Sequence, residues 1–66
     1  MPQFTINFSD DAYETLEELK EKTHKTSLAE VIRSALSLYR WSIEQKEEGR
    51  KVTSMKGKEV KEVILP

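Results

Sequence analysis

Gln3-Phe4-Thr5-Ile6-Asn7-Phe8 alternates polar and apolar residues without a break. Successive side chains of a strand point to opposite faces, so Gln3, Thr5 and Asn7 share one face and Phe4, Ile6 and Phe8 the other. One face asks for a core; the other is free to make contacts elsewhere. A strand this short has no stability alone in water, and nothing up to Gly49 alternates in a way that would pair with it. The pattern predicts a strand over 3–8 whose partner lies outside its own chain.

Size points the same way. A chain of 66 residues has room for one small domain. Such chains usually add disulfides, a metal or a partner subunit to an insufficient core. This one has no cysteine, and a single histidine does not make a zinc site. Oligomerisation is the remaining means, and no metal or cofactor is expected. No apolar run approaches the ~20 residues that span a bilayer, and the N-terminus has neither the basic start nor the apolar stretch of a signal peptide. The expectation is an intracellular, cytoplasmic and soluble protein with no membrane partner.

The net charge of -1 lacks the basic excess usual in nucleic-acid binders. Its distribution says more. Residues 1–24 carry -4 and residues 25–66 carry +3, so a near-neutral total joins an acidic front to a basic back.

Ser9-Asp10-Asp11 is a helix start, with a capping hydroxyl and two carboxylates suited to the positive end of the helix dipole. Ala12, Leu16, Leu19 and Thr23 then recur at helical spacing, which predicts a helix over 10–23 with Glu14, Glu17, Glu18, Glu21 and Lys22 on its solvated side. His24-Lys25-Thr26 interrupts the pattern. Histidine tolerates a left-handed backbone, so His24 is expected to close the first helix where glycine is more usual. Thr26 is expected to cap a second helix over 27–48 that ends before Gly49.

Leu28, Val31, Ile32, Ala35, Leu36, Tyr39 and Ile43 gather on one side of that helix. The stripe is longer than the first helix can cover, and a second copy of the chain is its natural cover. Leu38 and Trp41 fall off it. The segment 50–66 is basic and ends in apolar residues, with a turn expected at Lys56-Gly57. It is either a frayed tail or a packed strand or hairpin, for which Leu38 and Trp41 offer a docking surface.

Nothing in the chain spells out catalysis. There is no Gly-rich phosphate loop, no cysteine nucleophile and no metal-ligand spacing, and Asp10-Asp11 sit where capping accounts for them. An enzyme is not expected. One short strand, two helices and a need for dimerisation have a joint solution. The fold is mostly α with one N-terminal strand; two such strands pair antiparallel between chains, and four helices pack beneath. Phe4, Ile6, Phe8, Leu28, Ile32, Ala35, Leu36 and Tyr39 then form the dimer core. The ribbon presents Gln3, Thr5 and Asn7 twice on its outer face, and a two-stranded ribbon fits the major groove of B-form DNA.

With Pro2-Gln3-Phe4 at the start, Lys46-Glu47-Glu48-Gly49-Arg50 at the second helix end, and Thr26-Ser27-Leu28-Ala29-Glu30-Val31-Ile32-Arg33-Ser34-Ala35-Leu36 between, residues 2–49 resemble the ribbon-helix-helix family of DNA-binding proteins. That group includes the Arc and MetJ repressors. The resemblance implies an intertwined homodimer on double-stranded DNA, with Gln3, Thr5 and Asn7 as base-reading positions. It also implies that Lys25, Thr26, Ser27 and the Leu28 N–H anchor phosphate. The physics agrees, since free N–H groups and the helix dipole attract anions. Two departures stand out. The reading face lacks the arginine or lysine that many members carry, and His24 replaces a common turn glycine. Gln3 and Asn7 favour adenine, and adjacent dimers or Arg50-Lys51 are expected to supply further affinity.

The leading expectation is a homodimeric transcriptional repressor, assembling into higher order on DNA. Two alternatives stand beside it. One is an antitoxin whose residues 50–66 bind a toxin, as in many members of this family; the other is a dimerisation module without DNA binding.

Overall fold

The computed structural model describes residues 2–3 and 5–66; Phe4, assigned above to the apolar face of the ribbon, lies outside the described residues. Two helices and a hairpin follow one another: α1 over Asp10–Thr23, α2 over Leu28–Glu47, β1 over Thr53–Lys56 and β2 over Glu59–Glu62. The chain divides into two units, Met1–Ser34 and Ala35–Pro66, and α2 runs through the division.

In the first unit, Ser9 has an extended backbone and its hydroxyl oxygen accepts from the Ala12 N–H at 3.2 Å. Asp10 and Asp11 occupy the first turn and Lys20 and Lys22 the last, so both ends complement the helix dipole. A further i,i+4 pair joins Lys22 to Glu18 at 2.6 Å. No residue of α1 is buried. Residues 3 and 5–8 form neither helix nor ladder in the single chain. A strand is defined by the hydrogen bonds of its neighbour, and the pattern called for that neighbour from a second chain.

Both helices stop in the same way. His24 adopts φ 56°, ψ 34°, which turns its own N–H onto Glu21 O at 3.3 Å and the Lys25 N–H onto Lys20 O at 3.0 Å. Gly49, at φ 79°, does the same for α2, with its N–H on Lys46 O at 3.0 Å and the Arg50 N–H on Gln45 O at 2.9 Å. This paired closure uses one left-handed residue to satisfy two orphan carbonyls.

The second unit carries the rest of α2 and the hairpin. The strands pair antiparallel with Met55 opposite Val60 and Lys56 opposite Glu59. Gly57, at φ 60°, supplies the positive dihedral that a two-residue hairpin loop requires. A bond from the Val63 N–H to Val52 O at 2.7 Å extends the pairing at the open end. Residues 50–66 thus hold a two-stranded hairpin with a short tail. That hairpin leaves Leu38 and Trp41 64% and 50% exposed. Its open end lies instead beside Lys46, where Val52, Val63 and Leu65 line a surface cleft. Among the described residues only Val31 and Ser42 are buried, and the Ser42 hydroxyl is satisfied by donating to Leu38 O at 2.9 Å. No helix among them is long and apolar enough to cross a membrane.

The two helix ends differ in what their left-handed residue costs. A residue with a Cβ pays roughly 1–2 kcal/mol in that region, and a Cβ at Gly49 would meet no atom within 4 Å. At fixed protein concentration, His24→Gly should raise the urea midpoint and Gly49→Ala should lower it, each by about 1 kcal/mol of stability. Two shifts of the same sign would contradict this account of the ends.

Candidate nucleic-acid interface

The residues assigned to DNA fall in two places. Gln3, Thr5 and Asn7 are exposed in the segment before α1. Lys25, Thr26 and Ser27 are brought together in the turn between α1 and α2, and their backbone is set by the left-handed His24.

At the start of α2 the capping residue is Ser27, where the sequence pattern had suggested Thr26. The Ser27 hydroxyl oxygen accepts from the Glu30 N–H at 3.2 Å, and Ser27 O accepts from the Val31 N–H at 3.4 Å. The reason is a capping box: Ser27-Leu28-Ala29-Glu30 places a carboxylate three residues beyond the cap. Glu30 then reaches back past Ser27. Its Oε2 accepts from the Thr26 N–H at 3.2 Å and from the Thr26 hydroxyl at 3.1 Å.

These bonds fix the electrostatics of the turn. The Thr26 backbone N–H above all, then its hydroxyl, holds the Glu30 carboxyl below the usual glutamate range, and the charges of Lys25 and Arg33 act in the same direction. Glu30 was not singled out by sequence reasoning, although the Ser-x-x-Glu spacing was there to find it. Its position matters because it is an anion already seated at the positive end of α2.

What remains for a phosphate can be counted atom by atom. Thr26 gives both its N–H and its O–H to Glu30. Ser27 uses an oxygen lone pair on Glu30 and keeps its O–H proton for another acceptor. Among the described residues nothing accepts from the N–H groups of Leu28 and Ala29, and Lys25 has no ion-pair partner. A lysine, a hydroxyl proton and two helix-end N–H groups thus fall within residues 25–29, and donors of this kind at a helix start are suited to an anion.

The residues assigned to the dimer core are mostly open in the single chain. Leu28 and Ile32 are half-buried; Ile6, Phe8, Ala35, Leu36 and Tyr39 are exposed, Leu36 by 62%.

Against known families, residues 3–40 match the model of a family described as ribbon-helix-helix protein, copG family. Among curated proteins and among solved structures, none matches the chain.

The depressed Glu30 pKa has a definite pH signature. Its contribution to α2 is complete above the ordinary glutamate pKa and is lost as the pH falls through the lower folded value. Helicity followed by circular dichroism should therefore fall off in acid for the native chain, with part of that fall missing in Glu30→Gln. Identical acid limbs for the two proteins would contradict the bonding described.

Proposed function

Because the chain belongs to the ribbon-helix-helix, copG family, whose members are DNA-binding transcription regulators and bind DNA as dimers, we propose that it is a homodimeric, sequence-specific transcriptional repressor. Residues 3–8 of two copies pair as an antiparallel ribbon and enter the major groove. Gln3, Thr5 and Asn7 face the base edges, where an amide bonds best to adenine and a hydroxyl adapts to several bases. The turn at Lys25, Thr26 and Ser27 holds the backbone of the duplex and sets the register of the ribbon. The observation that carries this reading is the extent of the family match, which takes in the alternating segment, α1, the turn and most of α2 in one span.

The division of labour follows from charge. An uncharged ribbon discriminates bases but contributes little of the counterion release that dominates affinity for DNA. Affinity then comes from Lys25 and the start of α2, with Arg50, Lys51 and neighbouring dimers on a longer site adding to it. Glu30 sets the terms at that turn: a phosphate that takes the Thr26 donors takes them from a carboxylate.

Gln3→Ala and Asn7→Ala should each leave a folded dimer and cost ~1–3 kcal/mol at the operator, with binding to scrambled duplex unchanged. Equal affinity of wild type and variants for the operator would overturn the assignment of the reading face. Lys25→Ala should weaken binding to every sequence alike and lower the slope of log K against log salt by about 0.9, one phosphate's share. A slope that does not move would remove Lys25 from the phosphate contact.

A further inference from the structure

The Glu30 carboxylate sits on donors that the proposed DNA contact also needs. Its Oε2 accepts from the Thr26 N–H at 3.2 Å and from the Thr26 hydroxyl at 3.1 Å. A duplex phosphate that takes those donors therefore sets a carboxylate loose beside itself. Like charges at one turn repel, and a cation that receives the displaced carboxylate lowers the cost.

One cation is placed to receive it. Arg33 lies three residues beyond Glu30 on α2, a spacing at which helical side chains are neighbours. Helical side chains lean toward the N-terminus of their helix, which directs Arg33 at the turn that holds Glu30. Arg33 is exposed and has no ion-pair partner among the described residues. Behind the Thr26 N–H and hydroxyl, the charges of Lys25 and then Arg33 favour the ionised form of Glu30. Lys25 is already assigned to the phosphate, which leaves Arg33 for the carboxylate. All four residues belong to the unit Met1–Ser34.

We propose that Glu30 and Arg33 form an exchange pair at the phosphate contact. In the free protein Glu30 occupies the Thr26 donors; on DNA the phosphate takes them and the carboxylate passes to the Arg33 guanidinium. The proposal rests on the phosphate assignment above and gives a role to a residue outside the set assigned to DNA from the sequence. Arg33 is then a positioning residue, acting on the duplex through Glu30. Every group keeps a partner in the exchange: the two Thr26 donors change acceptor, and the displaced acceptor gains a donor.

A double-mutant cycle on the full-length protein tests this, with affinity for operator and for scrambled duplex measured at one salt concentration and helicity and sedimentation followed for each variant. Glu30→Gln keeps the capping box, since glutamine also closes it, and exchanges a charged acceptor for a weaker neutral one. It should raise affinity for both duplexes several-fold. Arg33→Gln should lower affinity several-fold in the native background and leave it unchanged in the Glu30→Gln background, where no carboxylate needs receiving. Arg33→Lys keeps a cation at the same spacing and should restore most of the native affinity.

Equal losses from Arg33→Gln in both backgrounds, with the slope of log K against log salt lowered by about 0.9 in each, would make Arg33 a direct phosphate contact and overturn the exchange. No loss in either background overturns it too, and leaves Lys25 and the reading face standing. A native chain that binds neither duplex at low salt overturns the proposal and the DNA-binding reading together.

Discussion

Apolar side chains that one copy cannot bury are the constraint on which this protein depends. Ile6, Phe8, Leu36 and Tyr39 stand about half in water in the single chain. Burying a large apolar side chain is worth ~1.5–3 kcal/mol, so covering what these four still expose amounts to on the order of 5 kcal/mol per chain. That is comparable with the whole stability of a small domain, ~5–15 kcal/mol. Local devices such as caps and i,i+4 pairs contribute about 1 kcal/mol or less each. They decide where the helices begin and end. They do not replace a core.

The same economy of parts appears at the turn between the helices. A left-handed His24 ends α1, and within three residues Ser27 and Glu30 begin α2. The groups that end one helix and start the next also leave Lys25, the Ser27 proton and the Leu28 and Ala29 N–H groups without an internal partner among the described residues. The turn's own bonding and the proposed phosphate contact therefore draw on neighbouring groups of one short segment. Glu30 belongs to both: its carboxylate occupies the Thr26 donors at the start of α2, and under the proposed function a phosphate competes with it for them. Under the proposed function, a reading segment without a cation and a turn with a built-in carboxylate leave few charges to set the affinity for DNA.

Both helices were legible in the sequence because periodicity, caps and terminators agreed. Ser9-Asp10-Asp11 opened α1, and Gly49 closed α2. His24 was legible for a subtler reason, being one of the few residues besides glycine that accept a left-handed backbone. The start of α2 was read one residue early, since Thr26 and Ser27 are both capping residues and only the spacing to Glu30 decides between them. Residues 50–66 stayed open between a frayed tail and a hairpin because strands of four residues give little alternation to read, and Lys56-Gly57 marks a turn without naming the register. For Leu38 and Trp41 the sequence showed that they lie off the stripe, but which surface meets them depends on where the chain exits α2. The ribbon expected at 3–8 is different in kind: a ladder between two chains is not formed by one, so a single chain offers the alternation of the sequence and not the ladder.

The central claim is that the fold and the dimer are one equilibrium. It is tested most directly by following helicity and mass together as the protein is diluted and heated. The account predicts that the melting temperature rises with protein concentration and that helix is lost as dimer dissociates, with no folded monomer between. A melting temperature independent of concentration, with full helicity retained in a monomer, would contradict it.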